Sequence, residues 1–370
     1  MSLWQHVAAW GAPPNSDALS LGEGATPLIR SRRLGSELGL RNLWFKYEGG
    51  NPTGSYKDRF AAAAVSHLVH DGRKACLGTS SGNTGAAVAA YCARAGVACF
   101  LAIVESAPEG KLRQMLAYGA HLFRIRDFGS SPAVNDAVFE GLRTLAKELN
   151  AGMEISAYAW SPRGMAGVQT ISYELDEARP GEALQVFCPA GGGGLTLAVA
   201  RGFEALALAA AGARAPVRVH CVQPAGNDTI ASALRAGRSE ARAVTSQTAV
   251  SGLQVGSVID GNEVIAACRR SGGQGHVVSD ESVWAWQARL AREEGIFCEP
   301  AGAVALAGVE EALRRGELAP DEPVVCLVTG TGFKDERALA RMAGDSPVPL
   351  LEGFGPMAQQ IRQALGPARR

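Results

Sequence analysis

The sequence predicts an α/β protein in which helices flank mostly parallel sheets. Three observations predict it. Short apolar runs of strand length, such as Ala98-Cys99-Phe100-Leu101-Ala102-Ile103-Val104, lack polar alternation and so read as strands buried on both faces. Helical segments alternate with these runs, which makes the connections crossovers between parallel neighbours. The 45 glycines fall between apolar segments, where they serve tight turns and close backbone approaches instead of disorder.

Taken in order, residues 1–47 read as an arm and then a strand-rich opening tract containing Leu21-Gly22-Glu23-Gly24-Ala25-Thr26-Pro27-Leu28. Leu43-Trp44-Phe45-Lys46-Tyr47 alternates enough to be a strand. Asn51-Pro52 and Thr53-Gly54 break it, and the run from Phe60 to Val65 has strong helix propensity. A short buried strand over 74–78 follows, then the loop Thr79-Ser80-Ser81-Gly82-Asn83-Thr84-Gly85, a helix over 86–95, the strand over 98–104, a helix around 111–118 and a strand over 121–125. From about Gly152 a second α/β unit begins. Its strands are expected over 184–188, 217–222 and 323–328, with a glycine turn over 189–194 opening a helix over 195–211.

Composition excludes several classes. The 36 basic and 36 acidic residues cancel, so the chain carries no whole-molecule footprint for nucleic acid or an anionic membrane. Eight cysteines are scattered through apolar runs without a C-x-x-C pair, and they read as buried reduced thiols, with no metal site or disulfide expected. The start, Met1-Ser2-Leu3-Trp4-Gln5-His6, lacks a basic region followed by a long apolar run; the expected location is the cytoplasm.

Lys57 is the best nucleophile candidate. It stands at the start of an apolar helix, where partial positive charge from unpaired N–H groups disfavours a cation. That helps an amine to be neutral near pH 7, the condition for Schiff-base chemistry with a carbonyl. Flanked by Asp58 and Arg59, it also reads as a solvated surface lysine. Gly191-Gly192-Gly193-Gly194 opens a helix and so suits an anion, because its N–H groups can close on a phosphate without Cβ clashes. A tight strand-helix turn is the plainer reading. A dinucleotide fold is disfavoured, since no G-x-G-x-x-G is present and the next strand ends at Gln223-Pro224 instead of an acidic residue. Residues 80–84 alone would read as helix capping.

The tract Asn51-Pro52-Thr53-Gly54-Ser55-Tyr56-Lys57-Asp58-Arg59 resembles the lysine motif of fold-type II pyridoxal-phosphate enzymes, most closely that of the threonine synthase family. Gly22 to Leu28 resembles the G-E-G-x-T-P-L tract of that family, Thr329-Gly330-Thr331-Gly332-Phe333-Lys334-Asp335 its T-G-x-G-L-K-D block, and Glu293 to Ala303 its E-E-G-I-x-x-E-P tract. The likeness runs from about Gly22 to Asp335. It implies two open, twisted, mostly parallel sheets with pyridoxal 5'-phosphate as cofactor and Lys57 as its covalent attachment. It further implies that Gly191 to Gly194 hold the cofactor phosphate, that Asn83 bonds the ring oxygen, and that Thr329 faces the pyridine nitrogen. A hydroxyl there makes a milder electron sink than a carboxylate would, which suits elimination and addition at β and γ carbons. Ser80, Ser81, Gly82 and Thr84 correspond to the grip on the substrate carboxylate. Glu299 either shapes the site or caps a helix.

The resemblance also implies a smaller domain over 48–151, a larger one from 1–47 plus 152–345, a tail over 346–370 that is loose or docked by a partner, and a homodimer. The expected activity is conversion of O-phospho-L-homoserine and water to L-threonine and phosphate. The chain departs from the family in three places. Phe60 stands where glycine is usual, and the all-glycine loop is more like serine/threonine dehydratases. The frame Ser161-Pro162-Arg163-Gly164-Met165-Ala166-Gly167-Val168-Gln169-Thr170 lacks the Asn, Glu and Lys of N-P-x-R-x-E-G-Q-K-T and displaces its Arg. Arg163 remains the candidate for gripping a substrate phosphate. The alternatives are a dehydratase-like or O-phosphoserine-using β-elimination or β-replacement enzyme, and an inactive homologue that binds cofactor or an amino acid.

Overall fold

In a computed structural model, which describes residues 3–80, 82–210, 215–344 and 348–365, the strands form two sheets. The larger holds β1 (Leu28–Arg30), β2 (Leu43–Tyr47), β7 (Gln185–Pro189), β8 (Arg218–Pro224), β9 (Gly275–Val278) and β10 (Val324–Val328), in the order β1-β2-β10-β7-β8-β9. Only β1 runs antiparallel to its neighbour. The smaller sheet is parallel throughout, with β3 (Ala75–Thr79), β4 (Ala98–Val104), β5 (His121–Ile125) and β6 (Gly152–Met153) in the order β5-β4-β3-β6. Every residue of β7 and β10 is buried, as continuous apolar runs of a doubly covered sheet require.

The principal helices are α1 (Lys57–His70), α2 (Asn83–Ala95), α3 (Glu109–Ala117), α4 (Pro132–Glu148), α5 (Pro162–Val168), α6 (Thr170–Ala178), α7 (Gly194–Ala209), α8 (Gly261–Ser271), α9 (Asp280–Arg289), α10 (Pro300–Arg314), α11 (Glu336–Ala343) and α12 (Phe354–Leu365). Helix α1 starts at Lys57, three residues before the apolar run that announced it. Helix α2 likewise starts at Asn83 instead of Ala86. In both cases a polar first turn carries no apolar periodicity but is already helical. The strands over 98–104 and 121–125 lie where the sequence placed them. Helices α4, α5, α6, α8, α9, α10 and α11 and strands β6 and β9 had not been anticipated. All eight cysteines are buried and free.

Helix α1 is the central rod. Its Ala61, Ala62, Ala63 and Ala64 are all buried, and α5 crosses it through Gly164 and Gly167. A Cβ at Gly167 would lie 2.4 Å from the Arg59 carbonyl oxygen, and one at Gly164 would lie 2.7 Å from Phe60 Cε2. Phe60, fully buried, therefore fills space that Gly164 leaves open. In the family's frame the Arg falls at Gly164, so the two departures at Phe60 and Gly164 are one exchange of bulk across a helix crossing.

The first turn of α1 is fixed by Arg59, which has no exposed surface. Its Nε and Nη2 donate to Glu48 at 2.8 and 2.9 Å, and its Nη1 and Nη2 to Glu174 at 2.6 and 2.8 Å. Nη1 also donates to Thr170 Oγ1 and Nη2 to Thr26 Oγ1. Lys46 Nζ adds a 2.5 Å bond to Glu174 and donates to the Thr26 carbonyl. Two cations meet two carboxylates, so the buried cluster is neutral.

Among the described residues no helix is long and apolar enough to cross a membrane. Within the tail, 354–365 is helical and buries no side chain.

Removing one member of such a cluster strands the others. Arg59→Met is expected to cost ~3–5 kcal/mol in denaturant unfolding. Burial alone would raise the Glu174 pKa, but Arg59 and Lys46 outweigh it and hold the carboxyl well below its ordinary 4.5. A carboxylate depressed in the folded state lends stability that is present above its unfolded pKa and lost as pH falls below it. The wild type should therefore lose stability progressively below about pH 4.5, more steeply than Glu174→Gln, in unfolding curves taken across that range.

Candidate active site

Three chain segments meet at the C-terminal ends of β2 and β10. Ser55 bridges Gly330, and Cys298 bridges Thr331. Tyr56 N–H donates to the Thr329 carbonyl at 3.0 Å, Thr331 N–H to the Gly54 carbonyl at 2.9 Å, and Glu299 N–H to the Gly330 carbonyl at 3.1 Å. The loop carrying Lys57 is thus sewn to both the segment carrying Thr329 and the one carrying Glu299. Gly54 permits this with φ +93°, where a Cβ would lie 2.8 Å from Thr331 Cγ2. Inside the loop, Asp58 accepts from Thr53 N–H at 3.0 Å and Thr53 Oγ1 at 2.8 Å.

Lys57 Nζ donates to Ser156 Oγ at 2.7 Å and lies 4.5 Å from the Tyr56 ring centre. Burial pushes its pKa down to about 8, against the opposing pull of Glu299 and Asp260. The amine is therefore reactive near neutrality, as its place at a helix start led the sequence to suggest. Burial is the cause.

Asn83, the first residue of α2, donates through Nδ2 to both oxygens of Glu299, at 3.1 and 2.8 Å. Thr329 Oγ1 donates to Glu299 Oε1 at 2.9 Å. Glu299 occupies the residue before α10 but makes no side-chain cap bond. Its carboxylate instead joins the two side chains expected to meet the cofactor ring, which decides between the two readings left open for it. Burial raises its pKa, while Asn83, Thr329, Lys334 and Lys111 pull the other way.

Gly191 to Gly194 close the end of β7 and open α7. Gly193 has φ +98°, and a Cβ on it would lie 2.7 Å from Val264 Cγ2. A Cβ on Gly194 would lie 3.3 Å from Asp260 Oδ2 and 3.4 Å from the Ser156 carbonyl. Ser156 thus adjoins both the lysine amine and the glycine loop. Asp260 accepts from Tyr158 and Ala159 N–H at 2.9 and 3.0 Å, holding the Ser156 segment against the loop. Neither Ser156 nor Asp260 was a sequence candidate; neither belongs to a motif or pattern of its own.

Ser80, Gly82 and Thr84 lie around the N-terminus of α2 beside Asn83, and Ser80 Oγ accepts from Gly82 N–H at 3.2 Å. Ser81 lies outside the described residues. Arg163 is elsewhere. It pairs with Asp71, just past the C-terminus of α1, and lines a cavity of about 260 Å³ with His67 and Glu154. A 14-residue helix separates that end from Lys57, roughly 20 Å at 1.5 Å per residue. The expectation that Arg163 grips substrate is corrected accordingly: the shifted arginine points to the far end of the rod.

Residues 19–330 match the family described as pyridoxal-phosphate dependent enzyme. This chain belongs to that family. The threonine synthase of Methanocaldococcus jannaschii is 32% identical over 95% of this chain and 84% of its own length. That of Mycobacterium leprae is 34% identical over 90% of this chain and 88% of its own. The structure of the processed form of threonine deaminase isoform 2 from Solanum lycopersicum superposes with a TM-score of 0.72 at 22% identity, covering 92% of each chain, and shares the fold.

The residues present fit the family's cofactor. A buried amine of lowered pKa stands beside a cradle of glycines that side chains would fill. In the first turn of α7, next to that cradle, the Thr196 hydroxyl is buried without a hydrogen-bond partner among the described residues. A helix N-terminus with free N–H groups and such a hydroxyl suits a phosphate.

In apoprotein, pH-dependent labelling of Lys57 with an amine reagent, read by mass spectrometry, should show an inflection at about pH 8. Glu299 raises the Lys57 pKa, so Glu299→Gln should move that inflection to lower pH. A shift in the opposite direction would contradict the electrostatics given above.

Proposed function

We propose that this protein is a threonine synthase, converting O-phospho-L-homoserine and water to L-threonine and phosphate with pyridoxal 5'-phosphate as cofactor. The observation that carries the reading is likeness to threonine synthases at 32% and 34% identity over 95% and 90% of the chain, around a lysine set for covalent chemistry.

When bound, the cofactor supplies the electron sink for a substrate carbanion. The chain's own residues do the rest. Lys57 holds the cofactor and then, as a free amine, takes protons from substrate Cα and Cβ as phosphate leaves Cγ, while water adds its oxygen to Cβ and the protons end on Cγ, Cα and the released phosphate. Ser156 keeps that amine aimed through its 2.7 Å bond. Gly191, Gly192, Gly193 and Gly194 take the cofactor phosphate. Asn83 meets the ring oxygen and Thr329 the ring nitrogen, both fixed by Glu299. Ser80, Gly82 and Thr84 receive the substrate carboxylate at the α2 N-terminus.

We further read the two sheets as two domains that close on substrate from either side, divided near residue 48 and, because β6 (Gly152–Met153) pairs in the smaller sheet, just after residue 153 instead of at 152. A homodimer fits α12, whose Phe354, Met357, Ile361 and Leu365 are exposed and recur at helical spacing. A cytoplasmic location fits a biosynthetic enzyme with free buried thiols.

A second reading keeps the same machinery with another substrate. It is favoured by the all-glycine loop and by the displacement of Arg163 from the site, and would make the enzyme a dehydratase-like β-eliminase.

Cofactor-loaded protein offered O-phosphohomoserine, O-phosphoserine, serine and threonine separately is expected to release phosphate and threonine in equal amounts from the first alone. Keto acid from serine or threonine, with O-phosphohomoserine inert, would establish the second reading. Lys57→Ala should abolish turnover while its circular dichroism and unfolding midpoint stay close to wild type.

A further inference from the structure

With Arg163 paired to Asp71 at the far end of α1, a substrate phosphate needs another grip, and the structure offers two lysines on the Glu299 side of the site. Lys111 and Gln114 stand three residues apart on α3, so they share one face of that helix. Lys334 reaches the same face from the turn after β10, donating to Gln114 Oε1 at 2.7 Å. Gln114 in turn lies 3.4 Å from the Thr53 carbonyl, in the lysine loop itself. The charges of Lys111 and Lys334 both act on the buried Glu299 carboxylate, and Lys334 is also within reach of the field of Asp58.

Lys111 spans the cleft. It donates to Ser251 Oγ, and the neighbouring Gly252 carbonyl lies 3.3 Å from where a Gly191 Cβ would stand. The lysine therefore sits between the glycine loop and Glu299. Glu336 lies against the backbone of Gly110 beside it. Even so, among the described residues neither Lys111 nor Lys334 has a carboxylate within ion-pair distance; the hydrogen-bond partners of both amines are neutral side chains. Lys334 is strongly desolvated, and burial lowers its pKa. Two partly buried ammonium groups whose direct hydrogen-bond partners are a neutral hydroxyl and a neutral amide, and whose nearby carboxylates Glu299 and Asp58 make no ion pair with them, form a receptor for a compact dianion.

We propose that Lys111 and Lys334, with Gln114 and Ser251, form the seat of the substrate's phosphate group. The proposal rests on the threonine synthase reading and names the residues that give it selectivity for a phosphate ester.

The test uses the holoenzyme, with Lys111→Met, Lys334→Met and Ser251→Ala, and inorganic phosphate as the probe. Each methionine variant should raise the KM for O-phosphohomoserine and the inhibition constant for phosphate together, by about 10- to 150-fold, the worth of a hydrogen bond to a charged group. Ser251→Ala should raise both by about fivefold, near the worth of a neutral bond. Lysine-to-arginine variants should recover part of the loss. Binding of serine, followed by the cofactor's absorbance, should stay at the wild-type constant in all of them. Unchanged KM and inhibition constants would overturn the seat. So would an equal loss of serine binding, which would mark Lys111 and Ser251 as a latch between the two sides of the cleft. If wild type turns over no O-phosphohomoserine, the functional reading falls separately. Phosphate affinity then judges the seat alone: its loss in the double methionine variant supports it, and its retention overturns it.

Discussion

The buried bond set of Arg59 is the constraint on which the rest of the structure depends. All its donor groups are engaged, and their partners come from three separate parts of the chain: the opening tract at Thr26, the lysine loop at Glu48, and α6 at Thr170 and Glu174. Lys46 brings β2 into the same cluster. Ion clusters of this kind cost desolvation and add little net stability compared with apolar packing. What they supply is geometry, because a planar guanidinium satisfies two carboxylates only in one arrangement. Arg59 lies two residues from Lys57, so the arrangement that satisfies the guanidinium also fixes where the amine points.

Glu299 plays the corresponding part on the other side of the site. Its carboxylate accepts from Asn83 on the small-sheet side and from Thr329 at the end of β10. A single acidic group thereby sets the separation of two side chains that come from different sheets. The same group raises the lysine pKa that burial lowers, so the reactivity of the amine is a balance between the two. Pre-set polar groups in a shielded site are the usual source of catalytic stabilisation, since they need no reorganisation during reaction.

The departures from the family pattern separate into two kinds once packing is known. Phe60 and Gly164 are complementary: a ring on one helix occupies the gap left by a glycine on the next. The glycine loop and the loss of a local arginine are different, because they change the groups available to anions. Lys111 and Lys334, which we propose as the replacement, come from α3 and from the turn after β10, and only the tertiary fold brings them to one face.

By itself, the sequence determined the fold class, the motif lysine and the glycine cradle. Each of these rests on adjacent residues: apolar runs such as 98–104 that must be buried, a nine-residue tract around Lys57, and four successive glycines before a helix. Asn83 and Thr329 were candidates from contiguous tracts of the same kind, and the structure brings both side chains to Glu299. Tertiary structure alone decided what holds them. Ser156 is 99 residues from Lys57, and Glu299 is 216 from Asn83. Their contacts arise from strand order and helix crossing, which carry no local signature. Arg163 shows the converse limit: one helical position turns a side chain by about 100°, at 3.6 residues per turn, so a frame that matches in sequence can still send its charge to the opposite end of a helix.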